Sequence, residues 1–543
     1  MKRLPMLVAA LLCLISTMAA QAEEATGFVF NDANGNGVKD IGEHGIAGVL
    51  VSNGADIVAT DKAGQYRISV SDDTIVFVIK PSGWMTPVGP GNDVPRFYYI
   101  HKPNGSPKMR YPGVSPTGSL PASINFPLHR QKEKKKFRII CMGDTQTRDV
   151  EEVEFLAHDI LEELQGTDAV FGVTLGDNVF NDLTVFDPLI ETVSGLGIPW
   201  RYVPGNHDHN HDAPTVEATD DTFERHFGPS YYSFNYGQVH FIVLNDIRHD
   251  AGNDEYHGGL GVRQLTFVKN DLAHVAHDWL VVLMMHIPIM ELDEARPEAG
   301  RALYALLKDF PHTFSLSTHT HIQRNMFIGK AHGWPQETAH HHLNHGTACG
   351  CWWGGNFDEV GIPIAQMGDG GPNNYSFITF DGVKYSVVFR IPRCPADYQM
   401  NVWLPERIPA AEVCKTAAVV NVFGGSSKSR VEMRIDNAPK WTAMTQFTGK
   451  DPYLVQAIAR QDAFVAKVAE LKGVKKADKA FSRRVYDEFD MTLRRLSGPS
   501  DTDHLWKADL SGTLASGSHT LEVRATDMFG HTYSAKRMFV VGH

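Results

Sequence analysis

The chain is poor in what would make it a disulfide scaffold, a membrane span or a nucleic-acid binder. Six cysteines in 543 residues are too few to staple a fold of this size. After the first 22 residues no apolar run reaches the ~20 residues that a membrane helix needs. Lys and Arg total 51 against 63 Asp and Glu, and the net charge of −12 argues against bulk nucleic-acid binding. It leaves room for a small anionic substrate, since a bound metal can reverse the local field. There is no clear internal repeat and no low-complexity tract. What remains is an ordinary globular composition, 43% hydrophobic and 21% charged, over a length that implies two to four domains.

Residues 1–22 stand apart from the fold. Lys2 and Arg3 form a basic start, Leu7 to Ile15 an apolar core too short for a stable anchor, and Ala20-Gln21-Ala22 a small-x-small cleavage site. They predict a cleaved signal peptide, no transmembrane anchor, and a periplasmic or secreted protein starting at Glu23. Cys13 leaves with the signal. Of the other cysteines, Cys394 and Cys414 could pair, and Cys141 lies in an apolar strand. Cys349 and Cys351 are too close for a comfortable disulfide; they read as a small buried pair, with a soft metal site as the alternative.

Residues 23–130 read as an all-β domain, with strand-like runs at 27–30, 49–52, 65–70 and 74–79 between Gly, Asn and Asp turns. One turn fits D-x-[DN]-x-[DN]-G-x5-E. Asp32, Asn34, Asn36, the Val38 carbonyl, Asp40 and Glu43 would give a cation hard oxygens, and Gly37 the tight turn. A polar hairpin explains most of this, but not the acidic last position, so structural Ca2+ is expected. The flanking strands exclude a true EF-hand; the loop resembles those of bacterial surface B-type β-sandwich repeats. Residues 86–135, rich in Pro and Gly and then basic, read as a linker or an irregular wrap over the next domain.

From residue 131 to 391 strands and helices alternate, the pattern of an α/β domain. The apolar run Ile198 to Val203 reads as a buried strand that Pro204-Gly205 ends, and Asn206-His207-Asp208 follows at its carboxyl end, where open α/β sheets place their sites. The same arrangement recurs: Gly143-Asp144-Thr145-Gln146, Gly176-Asp177-Asn178, Met285-His286, and Thr318-His319-Thr320-His321. Any one of these is explained by a turn or a helix cap. Five in succession, each at a strand end, are not. Oxygen and imidazole donors without thiolate point to Mn, Fe or Zn.

With these motifs the chain resembles the calcineurin-like metallophosphoesterases, over residues 137–390. The resemblance implies a four-layer β-sandwich flanked by helices. It implies Asp144, Gln146, Asp177 and His321 around one divalent metal, and Asp177, Asn206, His286 and His319 around a second. His207 would be the general acid or transition-state contact, with Asp208 orienting it. Gln146 stands where the family usually has His, which exchanges an imidazole for a weaker amide oxygen. The reaction implied is hydrolysis of a small phosphate ester by in-line attack of a metal-bridging hydroxide.

Residues 336–375 form a second rich patch, read as a substrate wall with a packed β-layer as the alternative. His342, Trp352, Trp353 and Asp369 are the expected substrate contacts there; His209, on a polar loop after Asn206, would extend the site, against the reading of that loop as merely solvated. Residues 392–543 read as a mainly β domain with a helical insertion near 451–471, similar to immunoglobulin-like domains of secreted hydrolases. A phosphodiesterase is the leading expectation and a phosphomonoesterase (nucleotidase or sugar-phosphate phosphatase) the second. A non-catalytic module binding envelope glycans or peptides is the alternative of another class.

Overall fold

The computed structural model describes residues 23–249, 251–292, 297–475, 477–488, 496–510 and 514–542. The expected signal peptide lies outside them.

Two sheets face each other at the centre. One has five strands in the order Trp200–Tyr202, Gly172–Thr174, Lys136–Met142, Tyr375–Asp381, Lys384–Arg390. Its first three run parallel and the last two close it as an antiparallel hairpin. The other has six, in the order Tyr232–Tyr236, Val239–Val243, Leu280–Met284, His312–Ser317, His340–Asn344, Arg324–Ile328. Its four middle strands are parallel.

Every residue of Gly172–Thr174 and Leu280–Met284 is buried, as in parallel strands covered on both faces. Pleating sends Ile139 and Cys141 into the core between the sheets, with Val173, Phe241, Leu283 and Phe314. Ile140 and Met142 face the other way, onto Val153, Leu156, Leu189 and Val193 of the helices Val150–Leu156 and Phe186–Ser194. The helices Val262–Leu272 and Pro297–Leu306 add Phe267, Leu272 and Leu303 to the first core. The result is the expected α/β arrangement of two sheets flanked by helices.

On the N-terminal side a smaller β unit packs over Val29, Val51, Ile68, Val78 and Leu128. Residues 86–135 prove not to be a linker. Tyr98–His101 pairs with Thr74–Ile79, and Phe126–Arg130 runs parallel to Glu23–Asn31. Lys102 Nζ lies 2.7 Å from both Asp73 and Asp221, tying this unit to the central one. In the Asp32–Glu43 loop, Asp32 accepts from the N–H groups of Gly35 and Gly37 at 2.8 Å, and Asp40 from the Asn34 and Asn36 amides at 2.8 Å. Glu43 accepts from the N–H of Ala33 at 2.9 Å and of Asp40 at 3.1 Å. The expected oxygens therefore share one small loop, in a geometry that serves a hairpin turn and a cation loop alike.

Toward the C-terminus, sheets of four and five strands close over Val420, Met433, Trp506, Val523 and Phe539. After the strand Thr445–Gly449 of the four-stranded sheet comes the helix Pro452–Leu471, capped by Asp451, whose side chain accepts from the Leu454 N–H, and carrying Pro in its first turn. The five described cysteines are free, so Cys394 and Cys414 are not joined.

Candidate metal centre

Five parallel strands end on one side of the two sheets, and each hands its ligand-bearing turn to the same place. The turns approach so closely that their glycines are obligatory. A Cβ on Gly205 would lie 2.0 Å from the Asp177 nitrogen, and one on Gly176 2.5 Å from His286 Nδ1. Gln146, Asp177, His319 and His321 have φ of +40°, +48°, +72° and +53°. Each such residue costs about 1 kcal/mol or more, and strain of this kind concentrates at functional sites.

The side chains converge. Asp177 Oδ2 lies 3.3 Å from His286 Nε2 and accepts from Gln146 Nε2 at 3.0 Å. His286 Nε2 is also 3.1 Å from Asn206 Oδ1 and 3.0 Å from His319 Nδ1. Asp144 Oδ2 is 3.1 Å from His321 Nε2. The ligand atoms of Asp177, His286 and His319 lie within 4.8 Å of one another, with Asn206 on His286; the Asp144–His321 and Gln146–Asp177 pairs adjoin this cluster.

Divalent cations fit this arrangement. Asp144 is fully buried and its Oδ2 accepts no hydrogen bond, a costly state for a carboxylate unless a cation faces it. Burial alone would lower His286, but Asp177 and Asp144 reverse this and raise it to about 10. Burial and the neighbouring His286 push His319 down to about 3. A proton trapped among carboxylates and imidazoles is the charge that a metal would replace. Backbone carbonyls fix the rings: His286 Nδ1 donates to Leu175 at 3.1 Å and His321 Nδ1 to Gly350 at 2.6 Å, which leaves each Nε2 as the ligand atom. Asp246 holds the His286 turn by accepting the N–H groups of His286 and Ile287 at 3.2 and 3.0 Å.

His207 lies at the mouth. Its N–H donates to Asp177 Oδ1 at 2.9 Å and its ring stacks on Phe180 with centroids 4.4 Å apart. The expected role of Asp208 needs correction, since the ring's partner is Asn181: His207 Nδ1 donates to Asn181 Oδ1 at 2.7 Å. Asp208 points away and accepts from the N–H groups of Asn178, Val179 and Gly205 at 2.9, 3.1 and 2.8 Å. It pins two turns together. Burial and then the charge of Asp177 raise it to about 7.

Of the five expected substrate contacts only Trp352 borders the centre. Its φ is +60°, its ring lies 4.9 Å from His321 and 6.1 Å from Phe180, and its buried indole N–H has no partner. Trp353 is buried in the helix-side core, 6.1 Å from Phe155. Asp369 accepts from the N–H groups of Gln323 and Gly371 and sits 3.1 Å from His504 of the C-terminal unit. His209 is buried against Asp220 at 2.9 Å.

His342 lies inside a strand and faces no substrate. Ser317 donates to Asn344 Oδ1, so its hydroxyl must accept from His342 Nε2 at 2.8 Å. His342 Nδ1 then accepts from Ser315, Ser315 from His340 Nε2, and His340 Nδ1 from Thr313, at 2.6, 2.6 and 2.8 Å. Every donor along this chain has one acceptor. It ends where Asn344 Nδ2 donates to Thr320, between His319 and His321. Phe180, Asn181, Asp246 and Tyr256, whose ring lies 6.1 Å from His319, were not anticipated. Only Asn181 carried a local signal, a second amide three residues beyond Asn178 in the same turn.

Comparison with known families now decides the class. Residues 33–111 match the N-terminal domain of calcineurin-like phosphoesterases and residues 342–533 the C-terminal domain. The chain is a calcineurin-like metallophosphoesterase. It is therefore a metal-dependent phosphoric ester hydrolase, and the reading as a non-catalytic envelope module falls. Among solved structures that match is the purple acid phosphatase PPD1 from yellow lupin (Lupinus luteus) seeds. It is 12% identical, with 64% of this chain and 67% of that one covered and a TM-score of 0.34. No curated sequence matches. No described helix of this metallophosphoesterase is long and apolar enough to cross a membrane.

Proposed function

We propose that this enzyme is an exported phosphodiesterase with two divalent cations, Mn, Fe or Zn. Asp144, Gln146, Asp177 and His321 hold one, and Asp177, Asn206, His286 and His319 the other. When bound, the cations supply a nucleophile at neutral pH and neutralise charge on the phosphoryl oxygens. Asn181 fixes the Nδ1 proton of His207, so Nε2 gives or takes the proton at the leaving oxygen. Asp208 keeps the Asp177 and Asn206 turns in register.

The observation that favours a diester is the aromatic rim of Phe180, Trp352 and Tyr256. It offers flat apolar surface to a second ester substituent, which a monoester lacks. The test is turnover of bis-p-nitrophenyl phosphate and p-nitrophenyl phosphate by wild type and Asn206→Ala. Diester turnover lost in the variant supports the proposal; turnover of the monoester alone makes the enzyme a phosphomonoesterase. Export rests on the first 22 residues, and a mature mass beginning at Glu23 tests it. Structural Ca2+ in the Asp32–Glu43 loop is the accompanying proposal. A calcium-dependent rise in melting temperature, lost in Asp32→Ala, tests that.

A further inference from the structure

Gln146 leaves the first cation short of an imidazole, and the fold brings a sulfur to the gap. Cys349 is fully buried and comes from a loop 203 positions further along the chain. Its Sγ lies 3.8 Å from Gln146 Oε1 and 3.4 Å from the Gly350 carbonyl. That carbonyl also accepts from His321 Nδ1 at 2.6 Å and from Thr347 Oγ1 at 2.6 Å, so the loop and the His321 ring are fixed to one atom.

The spacing suits two ligands of one ion. A sulfur at about 2.3 Å and an oxygen at about 2.1 Å from a five-coordinate zinc would stand about 3.8 Å apart where the angle between them is about 120°. The observed 3.8 Å between Sγ and Oε1 is close to that separation. An independent observation points to an ion at the same spot: Asp144 Oδ2, across from His321 Nε2 at 3.1 Å, is fully buried without a hydrogen bond.

We propose that Cys349 is a thiolate ligand of the first cation, so that the site binds through oxygen, imidazole and sulfur. On binding, the thiol proton is released to solvent and the Sγ lone pair is given to the metal; no oxidant or reductant takes part. The inference rests on the binuclear reading above and deepens it. A mixed donor set with sulfur selects zinc or iron at this position over manganese. The Asn206, His286 and His319 site keeps only harder donors and carries no such preference. Cys351, half-buried, is the neighbour that contributes no ligand.

Zinc X-ray absorption and metal analysis of the full chain test the proposal. Wild type is expected to bind two zinc ions and to show a sulfur shell at about 2.3 Å. Cys349→Ser is expected to lose the shell and to bind one of its two zinc ions at least tenfold more weakly. Cys351→Ser is expected to keep the shell. Cobalt-loaded wild type should also show a sulfur-to-cobalt charge-transfer band in the near ultraviolet that Cys349→Ser lacks. An unchanged melting curve and retention of the second zinc show that the variant folds. Two bound zinc ions without a sulfur shell overturn this inference and leave the binuclear reading standing. A wild type that binds no zinc overturns both.

Discussion

Two groups of histidines belong to strands of the same six-stranded sheet or to the turns that follow them, and behave in opposite ways. His286, His319 and His321 stand in turns beyond the strand ends, where their Nε2 or Nδ1 atoms meet carboxylates and one another at 3.0 to 3.3 Å. His340 and His342 stand inside a strand, where each ring nitrogen meets a serine or threonine hydroxyl at 2.6 to 2.8 Å. All five rings are largely shielded from water. The difference is the charge facing them. Carboxylates without enough donors create a demand for cations, whereas three hydroxyls that between them satisfy all four ring nitrogens create a finished hydrogen-bonded chain. Position relative to the strand end, rather than residue type, separates ligand from scaffold.

Substitutions on the two sides of this division should therefore differ in kind. The largest effect is expected at Asp177, shared by both cation sets. Asp177→Asn should lower kcat by about 10³-fold or more, read in the diester assay with metal supplied. His207→Ala should lose about 10²- to 10⁴-fold in kcat while binding its cations normally. Asn181→Ala, which frees the His207 tautomer, should lose about 10- to 100-fold and shift the pH–rate profile.

His342→Leu should do the reverse. It should keep both cations but lose about 1–3 kcal/mol of stability in urea, because the buried Ser315 hydroxyl loses the acceptor of its proton and Ser317 loses a donor. The last effect appears only in acid. Burial lowers His340 to about 3, below the 6.5 of the unfolded chain, so the fold favours its neutral form. That stability is present above pH 6.5 and is lost as pH falls from 6.5 toward 3, by up to about 1.4 kcal/mol per pH unit. His340→Gln should flatten the acid side of the stability curve over that interval.

The ligand turns were legible because Asp, Asn and His each followed an apolar run, and capping needs no such succession. The α/β alternation was legible from the same runs. The hairpin Tyr375–Arg390 was missed, because nothing local marks two strands that only complete a distant sheet. His342, Trp353 and Asp369 were misplaced for a related reason. Composition showed that the 336–375 patch was rich in polar and aromatic groups. Which way each faced depended on Ser315, Ser317, Phe155 and Gln323, all distant in sequence or on other strands. Asp208 was assigned to His207 by adjacency, but the turn rotates successive side chains apart, and Asn181 from the preceding turn takes the ring.

The most direct measurement is metal content of the purified chain after loading with a divalent cation, in wild type, His286→Ala and His342→Leu. Two ions per chain are expected in wild type and in His342→Leu, and no more than one in His286→Ala. Equal content in wild type and His286→Ala, or loss of ions in a folded His342→Leu, would contradict the division between the two histidine groups.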